Sequence, residues 1–230
     1  MDYGRFQKHK RRFVSALRAV LSEWGKDAQL TEAAFCAYAD SNSLIRFLFW
    51  RRVWLAINFL ESHGPYEAVL DFGCGSGAVL PLLAGLADRV VGVDINLGPY
   101  RALCAHFFSF PQSLEVYETK DHSLSRFSNE TFDVIILLDV LEHVDNLRDV
   151  FAELCRVTKP GGMMIVCGPT ENLFYHIGRR IAGKEYTGEY HMRNIYDIRR
   201  VAGTFMETKT LATLYYPFPL FKIFVGRVTR

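Results

Sequence analysis

Cysteine is scarce in this 230-residue chain, and its five cysteines form no recognisable pattern. They are widely spaced, and no two of them make a C-x-x-C pair: Cys36, Cys74, Cys104, Cys155 and Cys167. An odd number at this spacing argues against a disulfide framework and against a zinc site. We therefore expect a reducing compartment and no bound metal.

Long apolar runs and a large net charge are absent as well. The longest apolar stretches, near residues 53–57 and 134–138, are far shorter than the roughly 20 residues of a membrane-spanning helix. With 27 basic and 25 acidic side chains, the formal charge of +2 gives no support for a nucleic-acid partner. The first residues also lack the apolar stretch of a secretory signal, so we expect a cytoplasmic location.

The sequence does contain an alternation of short strands and longer helices. Half of its residues are apolar, which is enough for a sizeable core. Predicted strands cover residues 68–72, 89–94, 114–117, 132–137 and 163–167, and predicted helices cover residues 76–87, 98–108 and 147–157. This alternation is typical of βαβ units. It predicts an α/β protein with a Rossmann-like, doubly wound, mostly parallel sheet.

Extensions flank this core on both sides. Residues 1–65 predict a helical extension, and residues 66–230 form the α/β domain. Near the end of the chain, residues 208–216 and 220–228 flank a Pro-Phe-Pro break. Those two segments predict a C-terminal antiparallel hairpin at the sheet edge.

The most informative motif follows the first predicted strand, at residues 71–78 (DFGCGSGA). Its glycines permit backbone conformations that other residues avoid, and the next helix offers unpaired N–H groups to a ligand. Gly73, Gly75 and Ala78 also satisfy the dinucleotide fingerprint G-x-G-x-x-A, which keeps a nicotinamide-dependent oxidoreductase in view. Asp71 disfavours that class, because a carboxylate at the strand end repels a pyrophosphate and attracts an ammonium group.

Asp94 ends the second predicted strand, at the sheet edge where open α/β folds bind their ligands. Its carboxylate can accept both hydroxyls of a ribose, or it caps the following turn instead. Together, Asp71 and Asp94 would frame a nucleoside that carries a positively charged amino-acid tail.

Four segments of the core, in this order and at this spacing, resemble the class I S-adenosylmethionine-dependent methyltransferases. The similarity is greatest to the small-molecule group that includes ubiquinone and menaquinone biosynthesis enzymes. The segments are residues 69–77 (VLDFGCGSG), 91–95 (VGVDI), 132–144 (FDVIILLDVLEHV) and 156–162 (RVTKPGG). The resemblance implies S-adenosyl-L-methionine as cofactor and transfer of its methyl group to a small, apolar or lipid-like acceptor.

The resemblance also implies which residues bind the cofactor, from its methionine end to its adenine: Asp71, Gly73, Gly75, Asp94, Ile95, Asp121, His122 and Asp139. The first three would line the methionine end, while Asp94 would bind the ribose and Ile95 would contact the adenine. Asp121, with His122 beside it, would lie near the adenine amino group. Asp139 would lie near the amino acid of the cofactor or near the acceptor, although the same position can cap the following helix.

Two histidines are candidate general bases, which an oxygen acceptor needs and a neutral amine needs less. His143 follows the fourth strand at the ligand edge of the sheet, where a catalytic and a structural role are both open. His191 lies in residues 170–205, which we expect to form an insertion on the acceptor side, although a surface loop is equally consistent with the sequence.

The extension contains a segment, residues 43–60, that is apolar around nearly its whole circumference and is interrupted by Arg46, Arg51 and Arg52. One interpretation is a lid helix that walls the acceptor pocket, with arginines that reach water. The other is peripheral membrane contact, with the arginines on anionic head groups. The basic run at residues 8–12 is similarly either a solvated helix face or a site for RNA or membrane phosphates.

An alternative function is a catalytically inactive scaffold that binds the cofactor and regulates a protein partner. The intact set of Asp71, Gly73, Gly75 and Asp94 argues against loss of binding and is silent on turnover. Turnover with a panel of acceptors separates the two hypotheses.

Overall fold

The computed structural model describes residues 2–24, 35–106, 108–176 and 192–229. Its main helices are α1 (Tyr3–Trp24), α2 (Phe35–Ala39), α3 (Ser43–Glu61), α4 (Leu80–Leu83), α5 (Gly98–His106), α6 (Leu147–Val157) and α7 (Ile195–Ala202). Its strands are β1 (Tyr66–Phe72), β2 (Ala87–Asp94), β3 (Leu114–Glu118), β4 (Phe132–Leu138), β5 (Thr158–Pro169), β6 (Glu207–Leu214) and β7 (Phe221–Arg227).

The strands form a seven-stranded sheet in the order β3-β2-β1-β4-β5-β7-β6. The pairs β1/β4, β2/β3 and β4/β5 are parallel, whereas β7 pairs antiparallel with both β5 and β6. The middle of β4, residues 134–137, is buried throughout, as expected for a strand covered on both faces. The prediction of a mostly parallel sheet with a C-terminal antiparallel hairpin is confirmed.

The described chain divides into two compact units. The first contains residues 1–67 and 74–119, and the second contains residues 68–73 and 120–230. Among the helices of the described ranges, none has both the length and the apolar character needed to cross a bilayer.

In the first unit, α1 and α3 pack together through aromatic rings. Trp50 is 1% exposed, and its ring centroid lies 5.9 Å from that of Phe6 and 6.0 Å from that of Phe13. Its indole N–H donates to the Tyr38 carbonyl at 3.1 Å, so the polar atom of this buried ring is satisfied. Edge-to-face aromatic pairs contribute about 0.5–1.5 kcal/mol beyond their buried area. Phe6, Phe13 and Trp50 are therefore core residues, whereas Tyr3 and Phe47 of the same two helices are exposed.

In the second unit, two capped helices cover the sheet. Helix α6 begins after Asn146 and buries Leu147, Phe151 and Leu154, which share one helix face. Helix α7 begins after Asn194, whose side chain accepts hydrogen bonds from two backbone N–H groups of the first turn. The observed bounds of α6 agree with the predicted helix over residues 147–157.

The helix predicted over residues 76–87 is wrong in length, because only the four residues Leu80–Leu83 are helical. Gly73, Gly75 and Gly77 all have positive φ angles, which keep the chain in turns up to that point. The strand β2 then begins at Ala87, so there is room for a single helical turn.

Residues 159–162 lie inside β5, where the register with β4 shifts from Phe132 opposite Thr158 to Val134 opposite Met163. One other prediction differs from the structure. Helix α3 has nearly the predicted bounds, but Arg52 does not reach water. Its side chain is 1% exposed, and the guanidinium carbon lies 4.1 Å from the centroid of the Phe49 ring.

Candidate cofactor-binding site

The glycine-rich turn after β1 has a backbone that only glycine adopts without strain. Gly73 has a φ of 78°, and a Cβ built on it would lie 2.5 Å from Val140 Cγ2. Gly77 has a φ of 79°, and a Cβ there would lie 2.8 Å from Tyr100 Cδ2. Both positions exclude a side chain on two independent grounds, conformation and space. The glycine-rich motif thus forms a closely packed turn that requires glycine at both positions.

In the first unit, this turn is bonded to the end of β2. The Gly75 N–H donates to Asp94 Oδ2 at 2.7 Å, and the Asn96 N–H donates to Asp94 Oδ1 at 2.9 Å. An ionised carboxylate has about four acceptor sites, so each oxygen can accept more than one hydrogen bond. Ile95, the next residue, is apolar and 52% exposed. The structure therefore brings two predicted cofactor residues, Gly75 and Asp94, into direct contact.

His9 was not identified from the sequence, yet it contacts the end of the same turn. Its Nε2 donates to the Ala78 carbonyl at 2.9 Å, across 69 residues of sequence. Burial lowers the pKa of His9 to about 4, an effect that the hydrogen bond opposes and the nearby Arg12 charge increases. The ring is consequently neutral at physiological pH, with its proton on Nε2. No local pattern signals this contact, because α1 and the turn meet only in the folded chain.

In the second unit, Asp71 is 3% exposed and lies opposite Ile136 in the register of β1 with β4. The ring of the next residue, Phe72, lies 5.6 Å from that of His122. Asp121 and His122 have φ angles of 50° and 58°, which are uncommon for residues with side chains. The structure thus brings His122 against the strand that carries Asp71.

Asp139 directly follows β4 and also has a left-handed backbone, with a φ of 56°. Its N–H donates to the Cys167 carbonyl at 3.0 Å, which fixes the end of β4 to β5. The next residue, Val140, is the one that excludes a side chain at Gly73. Residues held in sparsely populated backbone regions cluster at functional sites, and three such residues of the second unit are predicted cofactor ligands.

The turn that carries His143 is held by the tail of the chain. His143 is exposed and ends a short 3-10 turn, Leu141–His143. The Met192 N–H donates to the Glu142 carbonyl at 3.0 Å, and Arg193 Nη2 donates to the Asp145 carbonyl at 2.7 Å. Arg193 therefore positions the segment around His143. The second candidate base, His191, lies outside the described residues.

Comparisons with known proteins agree with these observations. Residues 70–166 match a family model described as a methyltransferase domain. The ubiquinone biosynthesis O-methyltransferase of Hahella chejuensis is 32% identical over 109 residues, which cover 46% of this chain and 46% of that protein. The protein of the same name from Thiobacillus denitrificans is 26% identical over 186 residues, which cover 74% of this chain and 78% of that protein. The chain spans about half the length of the Hahella relative.

Among solved structures, the N-methyltransferase NodS from Bradyrhizobium japonicum, in complex with S-adenosyl-L-homocysteine, has a TM-score of 0.59 at 18% identity. The match covers 94% of this chain and 99% of NodS. At this identity the likeness concerns the fold alone, and it confirms a Rossmann-like methyltransferase fold. With a methyltransferase domain over residues 70–166, the chain is confirmed as resembling the class I S-adenosylmethionine-dependent methyltransferases.

Proposed function

We propose that this protein is an S-adenosylmethionine-dependent methyltransferase that acts on a small, apolar or lipid-like acceptor. The observation that carries the proposal is the Gly75 hydrogen bond to Asp94, which joins the glycine-rich turn to the acid after β2. The conformation of the turn supports it as well, because Gly73 and Gly77 have left-handed backbones packed against Val140 and Tyr100, where a Cβ would overlap. The cofactor supplies an activated methyl group.

We further propose how the cofactor is held. The buried Asp71 carboxylate favours a cationic amino group, and the backbone of Gly73 and Gly75 lets the methionine end approach closely. Asp94, whose carboxylate lies at the turn and accepts from the Gly75 and Asn96 N–H groups, accepts the ribose hydroxyls. The exposed Ile95 side chain offers an apolar surface to the adenine.

Three residues of the second unit complete this assignment. Asp121 and His122 recognise the adenine end, and Asp139 contacts the amino acid of the cofactor or the acceptor. Their left-handed backbones support these roles, since such strain persists only where the surrounding structure enforces it.

For an oxygen acceptor, we propose His143 as the general base, with His191 as the second candidate. His143 is exposed, and the Arg193 contacts hold its turn in place. Methyl transfer is an in-line displacement, so the protein must hold the acceptor about 3–3.5 Å from the methyl group and in line with it. A fixed turn serves that requirement better than a mobile one.

The acceptor is proposed to be apolar because large apolar side chains remain exposed around the predicted insertion at residues 170–205. Leu173 is 69% exposed and Met192 is 60% exposed. Phe174 and Phe218 are also exposed and contact each other at a ring distance of 4.2 Å. Such a patch is typical of ligand or partner contact. The same proposal includes contact between the N-terminal helices and a membrane. The membrane would be the source of a lipid-like acceptor.

Calorimetric titration with S-adenosylmethionine and S-adenosylhomocysteine tests the cofactor assignment. We expect Asp94→Asn to weaken binding at least about 10-fold, since the ribose loses a charged acceptor worth roughly 1.5–3 kcal/mol. Asp88→Asn, an exposed site on the same strand, is the matched control and should bind normally. Absence of binding to the parent protein would overturn the proposal. Binding without turnover across a panel of quinone precursors and lipids would favour the scaffold instead.

A further inference from the structure

A cavity of about 450 Å³ lies between α1 and α3 in the first unit, and we call it the α1–α3 cavity. Buried Val14 contributes an apolar part of its wall. The rest of its lining is polar or charged: Lys10, Arg11, Ser15, Arg18, Ser43 and Arg46. Ligand pockets typically have volumes of about 300–1,000 Å³, so a small charged group fits this space.

The described lining of the α1–α3 cavity is cationic. Four of its side chains are positively charged, and no acid is among these lining residues. Residues 3–22 of α1 contain no aspartate or glutamate. Asp40 adds a negative charge close by, and its carboxylate accepts from the Asn42 N–H at 2.6 Å. Within the described ranges, the four cations make no ion pair with a carboxylate.

Two of the arginines are held in place by backbone carbonyls of the connection between α2 and α3. Arg18 donates through Nε to the Ala39 carbonyl and through Nη2 to the Asp40 carbonyl, each at 3.1 Å. Arg46 Nη1 donates to the Ser41 carbonyl at 2.8 Å. These bonds fix each guanidinium and leave its other N–H groups as donors. A planar, pre-ordered guanidinium suits the paired oxygens of a phosphate.

The electrostatics of Lys10 point in the same direction. Burial lowers the pKa of Lys10, and the positive charge of Arg46 lowers it further. Lys10 and Arg46 therefore repel each other in the absence of an anion. An anion in the cavity would reverse that effect by attracting all four cations.

We propose that the α1–α3 cavity binds the phosphate group of an anionic membrane lipid. The choice of a lipid rests on the proposed function, which requires a lipid-like acceptor, and on two exposed apolar side chains. Leu44 is 61% exposed and Phe47 is 49% exposed, and they alternate along α3 with Ser43 and Arg46 of the cavity. An apolar stripe beside a basic one is typical of helices that lie on a membrane surface.

The experiment measures binding of the full chain to phosphatidylcholine vesicles with and without phosphatidylglycerol. We expect the parent to prefer the anionic vesicles, and Arg18→Gln with Arg46→Gln to reduce that affinity about 25-fold. This value follows from about five-fold for each cation near the surface. Arg5→Gln with Arg12→Gln is the matched control, since it removes the same charge from α1 outside the α1–α3 cavity. The control should lose less than about five-fold.

Several outcomes would overturn the inference. Equal losses in the two double variants would show a diffuse attraction instead of a site. Tight binding of glycerol 3-phosphate without vesicle binding would assign a soluble ligand, and a preference for RNA over vesicles would assign a nucleic acid. If Arg18→Gln with Arg46→Gln does not fold, Lys10→Gln with Arg11→Gln provides the test, because neither residue bonds to another element in the part of the chain that the structure describes.

Calorimetry with S-adenosylmethionine on the same proteins separates this inference from the proposed function. A parent that binds the cofactor but shows no preference for anionic vesicles would refute the lipid site alone. A parent that binds anionic vesicles through the cavity but not the cofactor would refute the methyltransferase proposal alone.

Discussion

Replacing His9 by glutamine is expected to remove a large part of the acid sensitivity of folding. His9 is half-buried, and burial lowers its pKa to about 4. The pKa of an unfolded histidine is about 6.5. As the pH falls through 6.5, the unfolded chain binds a proton that the folded protein does not, so the free energy of unfolding decreases. Below pH 4 both states are protonated and the loss stops growing.

The size of the effect follows from the two pKa values. One pKa unit corresponds to about 1.4 kcal/mol, so the difference between 6.5 and about 4 gives a full loss of about 3.5 kcal/mol, of which about 2 kcal/mol falls between pH 7 and pH 5. Glutamine keeps a donor for the Ala78 carbonyl but does not titrate. We therefore expect His9→Gln to lose about 2 kcal/mol less than the parent on going from pH 7 to pH 5.

Urea unfolding of both proteins at the two pH values measures this difference. His63→Gln, at an exposed histidine of the same unit, is the control and should retain the parent's loss. The same loss in the parent and in His9→Gln would refute the reasoning, because it would mean that His9 titrates alike in the folded and unfolded chains.

Glycine substitutions test the backbone of the second unit. Gly73→Ala should lower the free energy of unfolding by about 2–4 kcal/mol and abolish cofactor binding, since it combines a left-handed backbone with overlap onto Val140. Gly161→Ala, with a similar φ but nothing within 4 Å, should cost only about 1–2 kcal/mol, and equal costs would contradict the overlap. Gly226→Ala places a Cβ 2.1 Å from Met206 Sδ and should cost about 1–3 kcal/mol in urea unfolding, less if the flexible methionine moves; no cost would refute the contact.

Much of the fold could be predicted because the sequence pattern is local. The central strands are continuous apolar runs, and α6 begins after an asparagine cap and shows one apolar face. The type and the bounds of these elements therefore follow directly from the sequence. The predictions failed where tertiary packing determines the conformation of the chain or the environment of a side chain. The turns at Gly75 and Gly77 shorten the helix predicted over residues 76–87, and burial places Arg52 over Phe49 instead of in water.

For the candidate site as well, local features could be predicted from the sequence and long-range contacts could not. The glycine-rich motif and Asp94 were identified from residue type and spacing, and the structure joins Gly75 to Asp94. The contact of His9 with Ala78 spans 69 residues and has no local signature. The roles of His143 and His191 remain predictions, since a histidine at a strand end is compatible with catalysis and with structure alike.

The bond from α1 to Ala78 has a consequence for how this protein can be dissected. The segment that matches the methyltransferase domain model covers residues 70–166, yet Phe13, Trp50 and Phe108 surround His9 with aromatic rings from outside and inside that segment. A fragment cut to the shared boundaries would expose Phe108 and leave the Ala78 carbonyl without its donor. It would also leave β5 without β7. The contacts that stabilise residues 70–166 thus extend beyond that segment, and we expect a fragment of those residues to be less stable than the full chain.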